Sequence, residues 1–224
     1  MCGRFAFYSP AEATAALFGV DGAPTLEARY NIAPTTQIAA IRNDANGSPE
    51  FTMLKWGLVP FWAKDKSIGN RMINARAETV AEKPAYRAAY RHRRCLVLAD
   101  GFYEWRKEGA GKTPYFISLA SGEPFAFGGL WESWTDKESG EVIDSATLIT
   151  TEANEYLARI HHRMPLILEP DSGARWLSGD THMLEAIETP RLRAWPVDRR
   201  VNNARNEGSD LVDPAGPSVD EQSG

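Results

Sequence analysis

The chain has 224 residues, of which 43% are hydrophobic and 25% charged, and it contains two cysteines. This length and apolar content suit one large domain with a full core, and two cysteines are too few for a disulfide framework or a cysteine-based metal cluster. No apolar run approaches the ~18 residues that span a bilayer, and the N-terminus lacks a signal-peptide pattern, so we expect an intracellular protein with no membrane partner.

The formal charge of −5 is unevenly distributed along the chain. Residues 207–224 hold five acids and no base, so the rest of the chain has 25 acids against 25 bases. Within this neutral body, residues 71–94 hold seven bases and two acids. Residues 87–94 of this stretch are also compatible with a solvated helix face. The charge pattern therefore does not exclude a nucleic-acid partner.

The first part of the chain predicts a helix, a hairpin and a second helix. Ser9-Pro10-Ala11-Glu12 is a capping-box pattern that predicts a helix with Ser9 as N-cap, running to about Phe18 and ending at Gly19. Residues 37–41 and 51–56 are predicted strands, and the longer loop between them predicts a hairpin. Residues 84–94 predict a short basic helix.

The second part is rich in predicted strands separated by short polar turns. The strands cover residues 95–99, 101–105, 115–119, 125–131 and 142–150. Short links favour antiparallel pairing of neighbours. After them we predict a helix at 152–160, a strand at 165–168, helices at 171–177 and 181–187, and a strand pair at 192–201. The predicted architecture is an α+β fold with a largely antiparallel, barrel-like β core and peripheral helices. It forms one domain over residues 1–212, followed by an acidic, disordered tail over 213–224.

The N-terminal sequence Met1-Cys2-Gly3-Arg4 is the first candidate for chemistry. Removal of Met1 would leave an α-amine (pKa roughly 7.7–8) and a thiol (about 8.5) on adjacent carbons, each partly nucleophilic near neutral pH. With an aldehyde, the amine forms an imine and the thiolate closes a five-membered thiazolidine. The alternative is an incidental cysteine in a flexible terminus, but Gly3, Arg4 and Phe5 favour a terminus that is held in the fold.

Two further segments carry residues suited to proton transfer. Glu104 lies between Tyr103 and Trp105, and an apolar setting raises the pKa of a carboxylate toward the neutral range; alternatively, Glu104 is the solvent-facing residue of an alternating strand. His161 and His162 are adjacent and are followed by Arg163. Imidazole changes its charge near neutral pH, which suits a group that transfers protons. Adjacent histidines rarely bind one ion, so no metal site is expected.

Other candidates are polar or aromatic. Asn74 and Arg76 lie two residues apart, so an extended segment would direct both toward one site, where the guanidinium would suit phosphate oxygens. Trp62 is followed by a polar segment and could stack under an unpaired base. Trp56 and Cys95, in apolar surroundings, are expected in the core.

Several blocks resemble the SOS response-associated peptidase (SRAP) family, whose members process abasic sites. The resemblance runs in order from Met1 to about Leu211. It rests on Met-Cys-Gly-Arg-Phe at the start, Arg29-Tyr30-Asn31-Ile32-Ala33-Pro34, Trp56-Gly57-Leu58-Val59-Pro60 with Trp62, Ile73-Asn74-Ala75-Arg76-Ala77-Glu78-Thr79, Ala99-Asp100-Gly101-Phe102-Tyr103-Glu104-Trp105 and Ile160-His161-His162-Arg163-Met164-Pro165. It implies a barrel-like α+β fold and a sensor that forms a thiazolidine cross-link with abasic sites in single-stranded DNA.

The resemblance also implies roles for individual residues. It implies that Cys2 is the nucleophile and that Asn74 helps to place it. Glu104 would act as acid or base for imine formation and ring closure, and His161 would assist proton transfer around the opened sugar. Arg4, Arg76 and Arg163 would hold phosphates of the DNA, and Trp62 would pack on a base. Thr151 would contact DNA from the polar position before the helix. Thr150 fits the polar position equally well, and His162 occupies a variable position of the pattern.

The implied partner is single-stranded DNA that contains abasic sites, with replication-fork proteins as recruiting partners and no cofactor. We expect a monomer, located in the cytoplasm and associated with the nucleoid. The family name also implies peptidase activity, at least in the self-removal of Met1, and the aldehyde chemistry allows a lyase-like reaction. Two alternatives remain: a thiol peptidase that uses Cys2 with His161, which would cleave peptides without DNA, and a non-covalent single-strand binder, which would not distinguish intact from abasic strands.

Overall fold

The computed structural model describes residues 2–180, 184 and 191–221. Its strands are β1 (Phe5–Phe7), β2 (Arg29–Ile32), β3 (Gln37–Asn43), β4 (Pro49–Trp56), β5 (Asn74–Arg76), β6 (Arg94–Ala99), β7 (Gly101–Glu108), β8 (Gly111–Leu119), β9 (Phe125–Thr135), β10 (Val142–Glu152), β11 (Arg163–Pro165), β12 (Ile167–Leu168) and β13 (Leu192–Pro196). The α-helices are α1 (Ala11–Leu17), α2 (Arg87–His92), α3 (Glu155–Ala158) and α4 (Pro170–Leu177). Short 3-10 helices cover Lys66–Arg71, Ala77–Thr79, Arg199–Asn202 and Ser209–Val212.

A closed barrel forms the centre of the molecule. Strands β10, β4, β3, β6 and β9 pair in that order, and β9 pairs again with β10. The β10–β4 pairing is parallel and the others are antiparallel. Closure leaves these strands without free edges and gives them a common apolar interior, in which Trp56, Phe127 and its cross-strand neighbour Val97 are fully buried. The predicted barrel-like α+β fold with peripheral helices is confirmed.

A second, antiparallel sheet packs beside the barrel in the order β13–β8–β7–β1–β2. The chain passes from the barrel to this sheet at Asp100, the single residue between β6 and β7. Asp100 accepts hydrogen bonds from the Tyr8 and Ser9 amides at 2.6 and 2.8 Å. The short link therefore joins strands of different sheets, although the sequence favoured pairing of such neighbours.

Several predicted elements are present with different ends. The hairpin of β3 and β4 and the basic helix α2 are observed. Helix α1 begins after Pro10 as N-cap, with no side-chain cap, because the Ser9 hydroxyl bonds to Asp100 instead. Gly19 follows this helix with a φ of 77°, as its predicted stop requires.

The end of the chain differs more from the prediction. The predicted strand pair at 192–201 is one strand, β13, followed by the 3-10 helix Arg199–Asn202. The helix predicted at 181–187 lies outside the described residues, apart from Leu184. Residues 213–221 of the predicted disordered tail pack along β13: Val219 is fully buried, and its amide donates to the Ala194 carbonyl at 2.9 Å. No helix in the described part of the chain is long and apolar enough to cross a membrane.

Candidate active site

The N-terminal segment leads into β1 of the second sheet and packs against the barrel. The Phe5 ring packs edge-on against Trp56 and Phe127, with centroids 5.2 and 5.5 Å apart. The Arg4 carbonyl accepts a hydrogen bond from the Tyr103 amide at 2.9 Å. These contacts place Cys2, which is fully buried, beside β7, with its Sγ atom 3.9 Å from the Arg4 carbonyl oxygen. The terminus is therefore part of the fold.

Asn74 reaches the same place from the other side of the site. It begins β5, which runs parallel to β10 with Asn74 opposite Leu148. Its Nδ2 donates to the Cys2 carbonyl at 2.7 Å. Its Oδ1 is buried and has no hydrogen-bond partner among the described atoms. The amide nitrogen of Asn74 thus fixes the backbone of Cys2, and the amide oxygen is a buried acceptor beside it.

Glu104 supplies the ionisable group next to the thiol. It lies on β7 opposite Tyr115 and is only 5% exposed, so the solvent-facing interpretation is wrong. Burial raises the pKa of Glu104. Burial, followed by the negative charge of Glu104, raises the pKa of the Cys2 thiol well above its ordinary range. In this state the thiol holds its proton at neutral pH, whereas the sequence led us to expect partial ionisation.

His161 follows α3, which is shorter than the predicted helix and has Asn154 as its N-cap. The His161 Nδ1 lies 3.0 Å from the amide nitrogen of Arg163 and 3.1 Å from the carbonyl oxygen of that residue. The ring stacks on His162 with centroids 4.4 Å apart. Burial lowers the pKa of His161, which favours a neutral imidazole at pH 7. The Nδ1 edge of the His161 ring is therefore held by the backbone of Arg163.

The three arginines predicted to hold phosphates have different environments. Arg76 is exposed at the end of β5. The Arg4 Nη1 donates to the Asn31 Oδ1 and to the Val201 carbonyl, both at 2.7 Å. Arg163 is buried, and its guanidinium group is hydrogen-bonded within the protein. Arg76 is thus the most exposed of the three, Arg4 is partly exposed and Arg163 is buried.

The remaining predicted site residues differ in exposure. Thr150 is fully buried, whereas Thr151 is half-buried and lines a cavity of about 540 Å³. Trp62 is 49% exposed and lines a different groove, together with the exposed Phe61 and with Trp134. The structure thus brings Cys2, Asn74 and Glu104 together around the thiol and places Trp62 in a separate groove.

The sequence did not assign a role to two polar residues that shape this site. Asn31 is buried and bonds both Arg4 and the carbonyls of the loop 201–206. Glu78 bonds the Arg163 guanidinium group with both carboxylate oxygens. Both lie in segments that carried the family resemblance, but their partners are far away in the sequence, so residue type alone gave no signal.

The comparisons with known proteins agree on one family. The model of the family described as SOS response associated peptidase (SRAP) matches residues 1–204. The chain is 39% identical to the abasic site processing protein YoaM of Bacillus subtilis, covering 95% of this chain and 98% of that protein. It is 33% identical to the abasic site processing protein YedK of Escherichia coli, covering 96% and 100% of the two chains.

Solved structures are similar over nearly the same length. A protein from Bacteroides thetaiotaomicron superposes with a TM-score of 0.84 at 27% identity, over 96% of this chain and 100% of that one. A protein from Bordetella bronchiseptica superposes with a TM-score of 0.75 at 24% identity, over 88% of this chain and 100% of the other, and shows that the fold is shared.

Proposed function

The chain belongs to the SOS response associated peptidase (SRAP) family, and we propose on that premise that it processes abasic sites in DNA. The proposed reaction is a covalent one, in which Cys2, freed from Met1, forms a thiazolidine with the aldehyde of an abasic site in single-stranded DNA. The observation that carries this proposal is the placement of Cys2, whose carbonyl is held by the Asn74 amide at 2.7 Å and whose thiol has the Glu104 carboxylate as its ionisable neighbour.

The first half of the reaction joins nitrogen to the aldehyde carbon. The Cys2 amine adds to the carbon and gives a carbinolamine. Protonated Glu104 then gives its proton to the hydroxyl group, which leaves as water, and an iminium ion remains. The raised pKa of Glu104 supports this role because the carboxyl group holds its proton to a higher pH than an exposed carboxyl group does.

The second half closes the ring. The Glu104 carboxylate takes the thiol proton, and the thiolate adds to the iminium carbon, so that a carbon–sulfur bond forms and Glu104 is protonated again. The raised pKa of Cys2 suits this order, because the thiol remains protonated until the base beside it acts. One water is lost overall. We assign to His161 the proton transfer that opens the sugar, for which its lowered pKa supplies a neutral imidazole.

DNA affinity comes from groups outside this centre. Exposed Arg76 suits a phosphate next to the lesion, and Trp62 suits stacking on a base. We keep Arg4, Arg163 and Thr151 as proposed DNA contacts of the same strand. In this proposal the protein acts as a monomer beside the nucleoid, where fork proteins recruit it during the SOS response.

The test is a denaturing gel and intact mass of protein mixed with a single-stranded oligonucleotide that carries one abasic site. We expect an adduct that survives denaturation, with Met1 absent and one water lost from the summed masses. Cys2→Ala should give none, and an undamaged strand should give none with the wild type. Cys95→Ala is the matched control, because it removes the other buried thiol and should leave the adduct unchanged.

Absence of an adduct from protein shown to lack Met1 would exclude the covalent proposal. Cleavage of peptides without DNA would then favour the thiol peptidase. Equal binding of intact and abasic strands, unchanged by Cys2→Ala, would favour the non-covalent binder.

A further inference from the structure

The C-terminal segment, residues 213–221, covers the edge of β13 that does not pair with β8. The Ala215 amide donates to the Pro196 carbonyl at 2.8 Å, in the last residue of β13. The Val219 amide donates to the Ala194 carbonyl at 2.9 Å, and the Val219 side chain is fully buried in the main apolar core. The segment is therefore docked on the sheet, and its contacts show what it supports.

Two side chains of the α3 region join this segment to the helix. Arg159, the C-cap of α3, donates from Nη2 to the Val219 carbonyl at 2.7 Å. The Tyr156 hydroxyl accepts from the Ala194 amide at 2.9 Å and donates to Asp220 Oδ2 at 3.3 Å. Burial, followed by the negative charge of Asp220, raises the pKa of Tyr156, so the hydroxyl group keeps the proton that it donates. The helix is thus attached both to β13 and to the C-terminal segment.

Helix α3 in turn holds the backbone of His161. Its four residues, Glu155–Ala158, form a single turn, which is too short to be stable on its own. The Asn154 side chain caps its start by accepting from the Leu157 amide at 2.9 Å. At its end, the Leu157 carbonyl accepts from the amides of Ile160 and His161 at 2.8 and 2.9 Å. The position of the His161 backbone therefore depends on contacts that hold the end of α3 from outside the helix.

We propose that Tyr156 and Arg159 are positioning residues for His161 and that the C-terminal segment is the support on which they act. The inference rests on the proposed role of His161 in cross-linking. Strand β13 and the segment hold the middle and the end of α3, and the backbone that follows the helix then places the imidazole in the site. In this assignment neither positioning residue touches a reacting atom.

The kinetic test is a double-mutant cycle on single-turnover cross-linking to an abasic strand. Tyr156→Phe keeps the ring but removes the hydroxyl group that joins α3 to β13 and the segment, and Arg159→Met keeps the stem but removes the donor. We expect each substitution to slow cross-linking by about fivefold. In a His161→Ala background neither should have a further effect, because the group that they position is gone. Persistence of the fivefold loss in that background would overturn the proposal.

The matched control is Arg175→Met. Arg175 lies in the last turn of α4, outside the candidate site, and donates to Asp180 at 2.8 Å, so the variant loses an arginine contact at the end of another helix. We expect it to cross-link at the wild-type rate. Equal slowing by Arg175→Met and Arg159→Met would mean that lost charge or general stability causes the effect, and would overturn the proposal.

An NMR titration of the free protein keeps this inference separate from the proposed reaction. Burial lowers the pKa of His161, so a ring that leaves its place for solvent should titrate at higher pH. We expect Tyr156→Phe to raise the His161 midpoint and Arg175→Met to leave it unchanged. Tyr156→Phe is decisive because it removes no charge, and an unchanged midpoint in this variant would overturn the proposal. The titration needs no DNA, so a wild type that forms no adduct would contradict the proposed reaction, while the midpoint still decides whether these contacts place His161.

Discussion

At the scale of single residues, the site depends on groups whose protonation differs from that in water. Glu104 and Cys2 are both buried, and burial disfavours the charged form of each, so their pKa values are raised. A carboxyl group with a raised pKa is a better proton acceptor when ionised than an exposed one, but its ionisation destabilises the folded protein. Catalytic suitability and stability therefore oppose each other at Glu104.

Glu104→Gln should separate these two effects. The folded-state pKa of Glu104 lies above its ordinary value of 4.5, so the folded protein binds more protons than the unfolded chain between the two values, and its stability falls as pH rises through that window. Glu104→Gln has no carboxyl group to ionise, so it lacks this loss of stability with rising pH. We expect it to gain stability relative to the wild type as pH rises above 4.5, measured by urea unfolding at pH 4, 6 and 8, while cross-linking slows by about 100-fold.

Glu132→Gln is the control at a second buried carboxylate, because Glu132 is as buried as Glu104 and forms an ion pair with Arg93 at 2.8 Å. Loss of that partner should destabilise the protein. A stability difference between Glu104→Gln and the wild type that does not vary with pH would contradict the raised pKa.

At the scale of elements, the decisive feature is the passage of the chain from β6 in the barrel to β7 in the second sheet. Gly101 permits it by close approach: a Cβ there would lie 2.3 Å from the Phe116 ring and 2.7 Å from the Ile117 carbonyl oxygen. The tight contact sets where β7 begins, and Glu104 follows three residues later. The position of the carboxyl group in the site is thus determined by packing at a glycine.

Gly101→Ala should therefore destabilise the protein by about 3 kcal/mol, because backbone and a packed ring would have to move. The same substitution at Gly111, at the start of β8, meets its nearest atom only at 3.8 Å and should change stability by less than about 1 kcal/mol. Urea unfolding of both variants checks the expectation. Equal stability of the two variants would show that the strand end adjusts freely.

At the scale of the whole molecule, both ends of the chain contribute to one body. The N-terminal segment contributes β1 to the second sheet and packs Phe5 against the barrel, and residues 213–221 lie along β13 at the edge of that sheet. The Arg159 side chain, just after α3, donates to the Val219 carbonyl at 2.7 Å. Through this contact, the C-terminal segment stabilises the end of the helix that precedes His161.

Val219→Ala should reveal this contribution. Removal of two methyl groups from a fully buried side chain should cost about 1 to 2 kcal/mol of unfolding free energy. Val142→Ala is the matched control, since Val142 is 62% exposed and should change stability by less than about 0.5 kcal/mol. Chemical denaturation compares them. An equal, small effect at both positions would mean that the segment is not docked in solution.

The fold was predictable where local pattern and tertiary structure agree. Apolar segments bounded by turn residues indicated the β3–β4 hairpin and the strands from β6 to β10, because core strands bury most of their residues, and β6 is buried along its whole length. The pattern failed where a local signal met a distant partner. Ser9 has the sequence of an N-cap, but its hydroxyl bonds to Asp100, which is 91 residues away. Composition likewise indicated disorder for 213–221, yet Val219 finds a buried position against β13.

By itself, the sequence determined the chemistry that is available: an amine and a thiol at Cys2, a carboxyl group in an apolar strand at Glu104, an imidazole at His161, and a barrel-like fold to carry them. Only the tertiary structure decided how these groups are tuned. It buried the thiol and the carboxyl group, left Arg76 exposed, and paired Arg163 with Glu78, 85 residues away, just as it joined Asn74 to Cys2 across 72 residues. Residue type fixes which reactions a side chain can perform, whereas pKa, charge pairing and access depend on neighbours that the chain supplies only when it folds.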